Sequence, residues 1–161
     1  MSPESVTEKR FEDYIEKGLN SLGFCSRNYQ DYDRKLCLIN DEIINFLKNT
    51  QYKKWKKLNE SYGIDTERKV LQRISSEISK RGIIDVLRNQ VADRGVYLDL
   101  CYFQPKSDLN PDLQKLYSFN KFTLVRQLHY STENENSIDI ALFLNGLPIL
   151  TMELKNKATG Q

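Results

Sequence analysis

The stretch SIDIALFLNGLPILTMELK, residues 137–155, reads as two strands joined by a turn. Side chains on a strand alternate between faces. Residues 137–144 therefore set Asp139, Ala141 and Phe143 against Ile138, Ile140, Leu142 and Leu144. Residues 148–155 set Ile149, Thr151, Glu153 and Lys155 against Leu150, Met152 and Leu154. Strands this apolar on both faces are buried on both faces. Asn145-Gly146 is a strong turn signal between them. Three charges, Asp139, Glu153 and Lys155, lie at the ends remote from that turn.

Register decides whether those charges meet, because a one-residue slip turns a strand over. An odd connection, expected here as the three-residue loop Asn145-Gly146-Leu147, sets Asp139 directly opposite Glu153 and Pro148 opposite Leu144. Facing residues have Cβ atoms about 5 Å apart. A two-residue turn alone points Asp139 the other way. Two carboxylates so close repel unless a cation separates them. Magnesium or manganese suits such a place, since it accepts one or two carboxylates together with waters and phosphate oxygens. The backbone carbonyl of Leu154 lies between the charged pair as a further ligand. Lys155 is placed to hold an attacking water and to offset charge in a phosphoryl transition state. A surface hairpin with charged ends gives the same string, so the residues alone leave both readings open.

Working outward, residues 121–130 and 96–103 read as strands, and residues 112–119 as a short helical turn. Upstream, apolar residues recur at helical spacing. Residues 5–22 form an amphipathic helix with Phe11, Ile15, Leu19 and Leu22 on one face, and residues 36–47 a second. Further helices are expected at 51–63, 66–82 and 83–95. The expectation is one domain over residues 1–161, helical over 1–94 and sheet-forming over 95–161.

The 161 residues carry 39% hydrophobic and 29% charged side chains and a net charge of +2, as ordinary globular proteins do, which excludes a disordered chain. No run reaches the ~18 apolar residues of a membrane helix, and the N-terminus has no signal-like stretch. A cytoplasmic protein with no membrane partner is expected. Cys25, Cys37 and Cys101 are odd in number and scattered, which speaks against disulfides and a zinc site. His129 is the lone histidine, so a serine triad within this chain is excluded.

Asp followed by Glu-x-Lys on adjacent strands resembles the signature of the PD-(D/E)XK nucleases. The wider string NSIDIALFLNGLPILTMELKN resembles the N-terminal nuclease domain of the restriction (R) subunit of type I restriction-modification enzymes. Tyr117-x-x-Asn120-x-Phe122, Arg126-Gln127, the run FLKNTQYKKWKKL (46–58) and the opening FEDYIEKGLNSLGF agree with it. The resemblance covers essentially the whole chain. It implies an α/β fold, a mixed sheet flanked by helices with a helical elaboration in the N-terminal half. It also implies a Mg-dependent endonuclease acting on double-stranded DNA. Asp139 and Glu153 would be the metal ligands and Lys155 the catalytic lysine. Modification and specificity subunits would be its partners. ATP would bind only to translocase domains of the intact subunit, and these are absent here.

Nucleases of this kind often add a glutamate from the first helix. Glu8 or Glu12 fits, with Glu8 preferred, and Gln127 is a further supporting candidate. Arg126 either lines the DNA cleft or pairs with acidic neighbours. Lys53, Lys54 and Lys57 around Trp55 form either a phosphate-contacting patch or, on the plainer reading, a solvated helix face. Gly18 to Gly23 lacks the Lys-Ser/Thr of a phosphate loop. The family's Gln and Tyr motif follows the Glu-x-Lys strand, beyond Gln161. An incomplete domain, inactive or nearly so by itself, is therefore expected. The alternative function is a non-catalytic DNA-binding or subunit-docking module of the same fold.

Overall fold

The computed structural model describes residues 3–106 and 110–154, with side chains in the first helix from Lys9 onward. Helix α1 (Pro3–Ser21) leads to a short strand β1 (Cys25–Arg27). Four helices follow: α2 (Asn40–Thr50), α3 (Tyr52–Tyr62), α4 (Thr66–Arg81) and α5 (Ile83–Asn89). A small hairpin, β2 (Val91–Asp93) and β3 (Val96–Leu98), precedes α6 (Pro111–Ser118). Three strands complete the chain: β4 (Phe122–His129), β5 (Ser137–Leu144) and β6 (Leu147–Met152). The architecture is mixed α/β, with a four-stranded sheet ordered β1-β4-β5-β6. β1 runs parallel to β4 and the other pairings are antiparallel, so the sheet is mixed. No helix among the described residues is long and apolar enough to cross a membrane.

Each sheet face has its own core. On one, Ile15 and Leu19 of α1 pack on Leu124, Ile140 and Leu142. On the other, Tyr32 and Ile39 cover Val125, Leu128, Ala141 and Phe143. A third cluster joins α2–α5 to the β2–β3 hairpin and takes in Leu147 at the turn of the β5–β6 hairpin. Burying a side chain the size of Phe143, which is fully enclosed, contributes about 2 kcal/mol.

Several boundaries differ from the sequence expectation. Phe11 and Leu22 are exposed, because α1 turns Glu12, Ile15 and Leu19 to the sheet and ends before Leu22. The second helix starts at Asn40, not Leu36. Asp33 instead closes a tight turn, its carboxylate accepting from the N–H groups of Lys35 and Leu36. The helix expected over 83–95 stops at Asn89. Arg94 and Gly95, both at positive φ, make the turn between β2 and β3. Residues 99–103 lie outside β3. β1 went unread because three residues without apolar alternation carry no strand signal.

The β5–β6 connection explains the register. Leu144 pairs with Leu147, so the turn is the two-residue Asn145-Gly146, both at positive φ, rather than the three-residue loop. Phe143, not Leu144, faces Pro148. The pairing then shifts by one residue between Leu142 and Phe143, and Leu142 meets Leu150. A bulge at Ile149 thus supplies the odd residue.

The turn is anchored on the helical layer. Buried Asn145 donates from its amide to the Leu100 carbonyl (3.0 Å) and accepts from the Lys121 N–H (2.8 Å). The Gly146 carbonyl accepts from Ile39 N–H at 2.9 Å. A Cβ at Gly146 would collide with the Ile39 carbonyl and lie 2.9 Å from Ile43 Cγ1, besides carrying a side chain at φ +85°. Gly146→Ala is therefore expected to lower stability by about 3 kcal/mol. Urea unfolding measures it, and a loss under ~1 kcal/mol would contradict this account of the turn.

Candidate functional site at the end of the hairpin

At the end of β5 remote from the turn, Asp139 is half-buried. One carboxylate oxygen accepts from the backbone N–H of Leu154 at 2.6 Å. The other accepts from the side-chain amide of Gln127 at 3.2 Å. The ladder between β5 and β6 pairs Ile140 with Met152, one residue short of Asp139 and Glu153, and Met152 and Leu154 on either side of Glu153 both pack on the α1 face. Glu153 itself is exposed. Lys155 lies outside the described residues, and so does the side chain of Glu8.

Among the described side chains of the first helix, Glu12, 7% exposed, reaches this place. One of its oxygens accepts from Gln127 Nε2 at 2.7 Å. The other accepts from Arg126 Nε at 3.0 Å and Nη2 at 2.7 Å. Arg126 Nη1 also meets Asp13 at 2.6 Å and Glu16 at 2.8 Å. Of the two roles open to Arg126, pairing with acidic neighbours is the one observed. Burial alone would lower its pKa, but hydrogen bonds to Glu16, Glu12 and Asp13 outweigh that and raise it. The guanidinium stays charged and ties α1 to the sheet.

Backbone geometry brings these groups together. Consecutive strand residues normally point to opposite faces, yet Arg126 and Gln127 both bond Glu12. Gln127 stands at φ +46°, a rare conformation for a residue with a side chain. The pairing of β4 with β5 runs through Arg126–Ile140 and resumes at Leu128–Ile138, skipping Gln127 and Asp139. The phase of both strands changes across that gap. Ile140 packs with α1, whereas Ile138 and Leu128 pack with the cluster on the other face. Strict alternation had grouped Ile138 with Ile140, and Asp139 with Ala141 and Phe143. Asp139 instead shares the Gln127 amide with Glu12 of α1. Ser137 Oγ donates to Gln127 Oε1 at 2.9 Å and fixes the amide's orientation.

Among the described residues, no three His, Cys, Asp or Glu side chains are grouped closely enough to hold a metal ion. A cation at Asp139 would therefore have one protein carboxylate at hand and take its other ligands from backbone, substrate or water oxygens. The chemistry of that donor set suits magnesium, which takes few protein carboxylates.

The lysine cluster lies elsewhere. Trp55 and Leu58 of α3 are buried in the helical core, which meets the hairpin at Leu147, at its turn end. Lys53 and Lys57 are exposed beside Tyr97, and Lys54 pairs with Asp99 at 2.7 Å. Lys54 is thus held by an acidic neighbour, while Lys53 and Lys57 face solvent.

Asp13, Glu16 and Ser26 were not singled out from the sequence. The available signal was Arg126, a cation amid apolar strand residues, which needs carboxylates on whatever helix packs over it. Residues 12 and 16 share a helix face. The Ser26 hydroxyl, aided by Arg126 against the opposing effect of burial, holds Glu16 below the usual carboxylate range. A depressed folded-state pKa adds stability that is present above the ordinary value of 4.5 and is lost below it, as pH falls through the lower folded-state value. Glu16→Gln should therefore flatten the acid loss of stability below about pH 4.5, as read by urea midpoints against pH. An acid limb as steep as in the wild type would contradict this.

No curated protein and no solved structure matches the chain. Residues 5–161 match the family described as Type I restriction enzyme R protein N terminus. The match spans both the helical layer and the hairpin with Asp139 and Glu153, so the chain belongs to the N-terminal region of type I restriction enzyme R proteins.

Proposed function

We propose that this chain is the Mg-dependent DNA endonuclease domain of a type I restriction R subunit, with its sheet that of a PD-(D/E)XK nuclease. The observation that carries the proposal is the contact of the Asp139 carboxylate with the backbone of the Glu153-Leu154 segment at 2.6 Å. It ties the aspartate on one strand to the Glu-x-Lys stretch on the next, within a chain of the restriction family.

Asp139, Glu153 and the Leu154 carbonyl would hold magnesium or manganese. The bound ion would polarise the scissile phosphate and make an attacking water more acidic. Lys155, two residues beyond Glu153, would donate to that water and balance charge on the phosphate oxygens. Glu12, fixed by Arg126 and Gln127, keeps α1 against the site. The substrate is double-stranded DNA. In the intact subunit, working in the cytoplasm, the modification and specificity subunits supply site recognition, and separate motor domains hydrolyse ATP.

Two measurements test this reading. In the reconstituted restriction enzyme, Asp139→Ala, Glu153→Ala and Lys155→Ala should each reduce DNA cleavage by at least ~100-fold while ATP hydrolysis persists. Cleavage by Lys155→Ala at near wild-type rate would sink the mechanism. By calorimetry, the chain should bind manganese weakly, and the Asp139→Ala, Glu153→Ala double variant should not. Equal binding by both would leave the non-catalytic DNA-binding or docking role.

A further inference from the structure

Gln127 is the strained residue of the sheet, and its side chain is fully committed. Its amide nitrogen donates to Glu12 at 2.7 Å and to Asp139 at 3.2 Å, while its oxygen accepts from Ser137 at 2.9 Å. Backbone at φ +46° in a strand is unfavourable for a residue with a side chain and persists only where surrounding contacts enforce it. The amide therefore lies between two carboxylates on different elements, one on α1 and one on β5. Asp139 has its second oxygen on the Leu154 N–H, and Glu12 has its second on Arg126. Both oxygens of both carboxylates are thus occupied by N–H donors. Each oxygen keeps a second lone pair, so a cation approaching Asp139 competes for the carboxylate with the positive ends of these donors. Among the donors on Asp139, the Gln127 amide makes the longer contact, and it hangs on a side chain that can rotate. Leu154 N–H belongs to the backbone.

We propose that Gln127 is a placeholder: its amide bridges Glu12 and Asp139 while the metal is absent, and swings off Asp139 when the cation arrives. This rests on the metal-binding role proposed for Asp139. The bridge has two consequences. It spares two facing carboxylates their mutual repulsion in the metal-free protein. It also weakens metal binding, because the cation competes with a hydrogen bond to a charged group. Such a device keeps a nuclease site shut until DNA phosphate adds its own oxygen ligands and tips the competition. Gln127 is a gating residue under this proposal and takes no part in the reaction itself.

The test uses the 161-residue chain with manganese alone as the probe. Gln127→Met keeps side-chain length and removes the amide. Gln127→Asn keeps an amide too short to span both carboxylates, and asparagine tolerates positive φ well. Both variants should melt at a lower temperature than the wild type without metal, yet bind manganese about tenfold more tightly by calorimetry. Adding Asp139→Asn to either should abolish the gain. Unchanged or weaker manganese binding in the variants, with the wild type binding normally, would make Gln127 a structural brace and overturn the proposal. No binding by the wild type or either variant would overturn the metal role of Asp139 itself, and the placeholder with it.

Discussion

The candidate site depends on a change of phase in two neighbouring strands. Upstream of Gln127, β4 presents Leu124 and Arg126 to α1, and downstream it presents Leu128 to the opposite core. β5 makes the matching change across Asp139, between Ile138 and Ile140. A regular ladder would have sent Gln127 to the face opposite Arg126. With the change of phase, an arginine, an amide and a carboxylate converge under Glu12. The strain at Gln127 is held by the hydrogen bonds of its side chain and by the apolar contacts that pin both strands on either side. Strain concentrated at one residue beside the chemistry, and absorbed by a packed surround, is how functional sites commonly store it.

The hairpin has two ends with different duties. Its turn is a structural anchor: Asn145 and Gly146 are bonded into the helical layer, and Leu147 is buried there. Its open end carries the charges. Between them, the bulge at Ile149 shifts the register by one residue, so that a tight two-residue turn is followed by the pairing of Ile140 with Met152. Arg126 then couples the open end to α1 through Glu12, Asp13 and Glu16, which also shields three carboxylates from one another. The helical elaboration packs on the turn end of the hairpin through Leu147.

The parts legible in the sequence were those with strong local signals. The spacing of apolar residues located α1, α3 and α4, and apolar runs bounded by turn residues located β4, β5 and β6. The odd offset between the strands was legible too, since Ile140 meets Met152 as an odd connection requires. Its form was not: Asn-Gly made its preferred tight turn, and the extra residue moved into the strand, where no residue type marks it. The β2–β3 hairpin was hidden because Arg94-Gly95 adopts a turn more often signalled by Asn-Gly or Asp-Gly. Glu8 was preferred on paper to Glu12, a turn of helix away, and its side chain lies outside the described residues. Only the packing of Ile15 and Leu19 sets Glu12 against Arg126. The positive φ of Gln127 had no sequence signal, since its cause is tertiary.

The central claim is that the open end of the hairpin is a metal site organised on Asp139. Paramagnetic broadening by manganese of the backbone amide signals of the isotopically labelled chain tests it most directly. Substoichiometric manganese should first bleach the signals of Asp139, Leu154 and Gln127, and leave Asn145 and Gly146 at the turn sharp. Broadening centred elsewhere, or spread evenly over the surface carboxylates, would contradict the account.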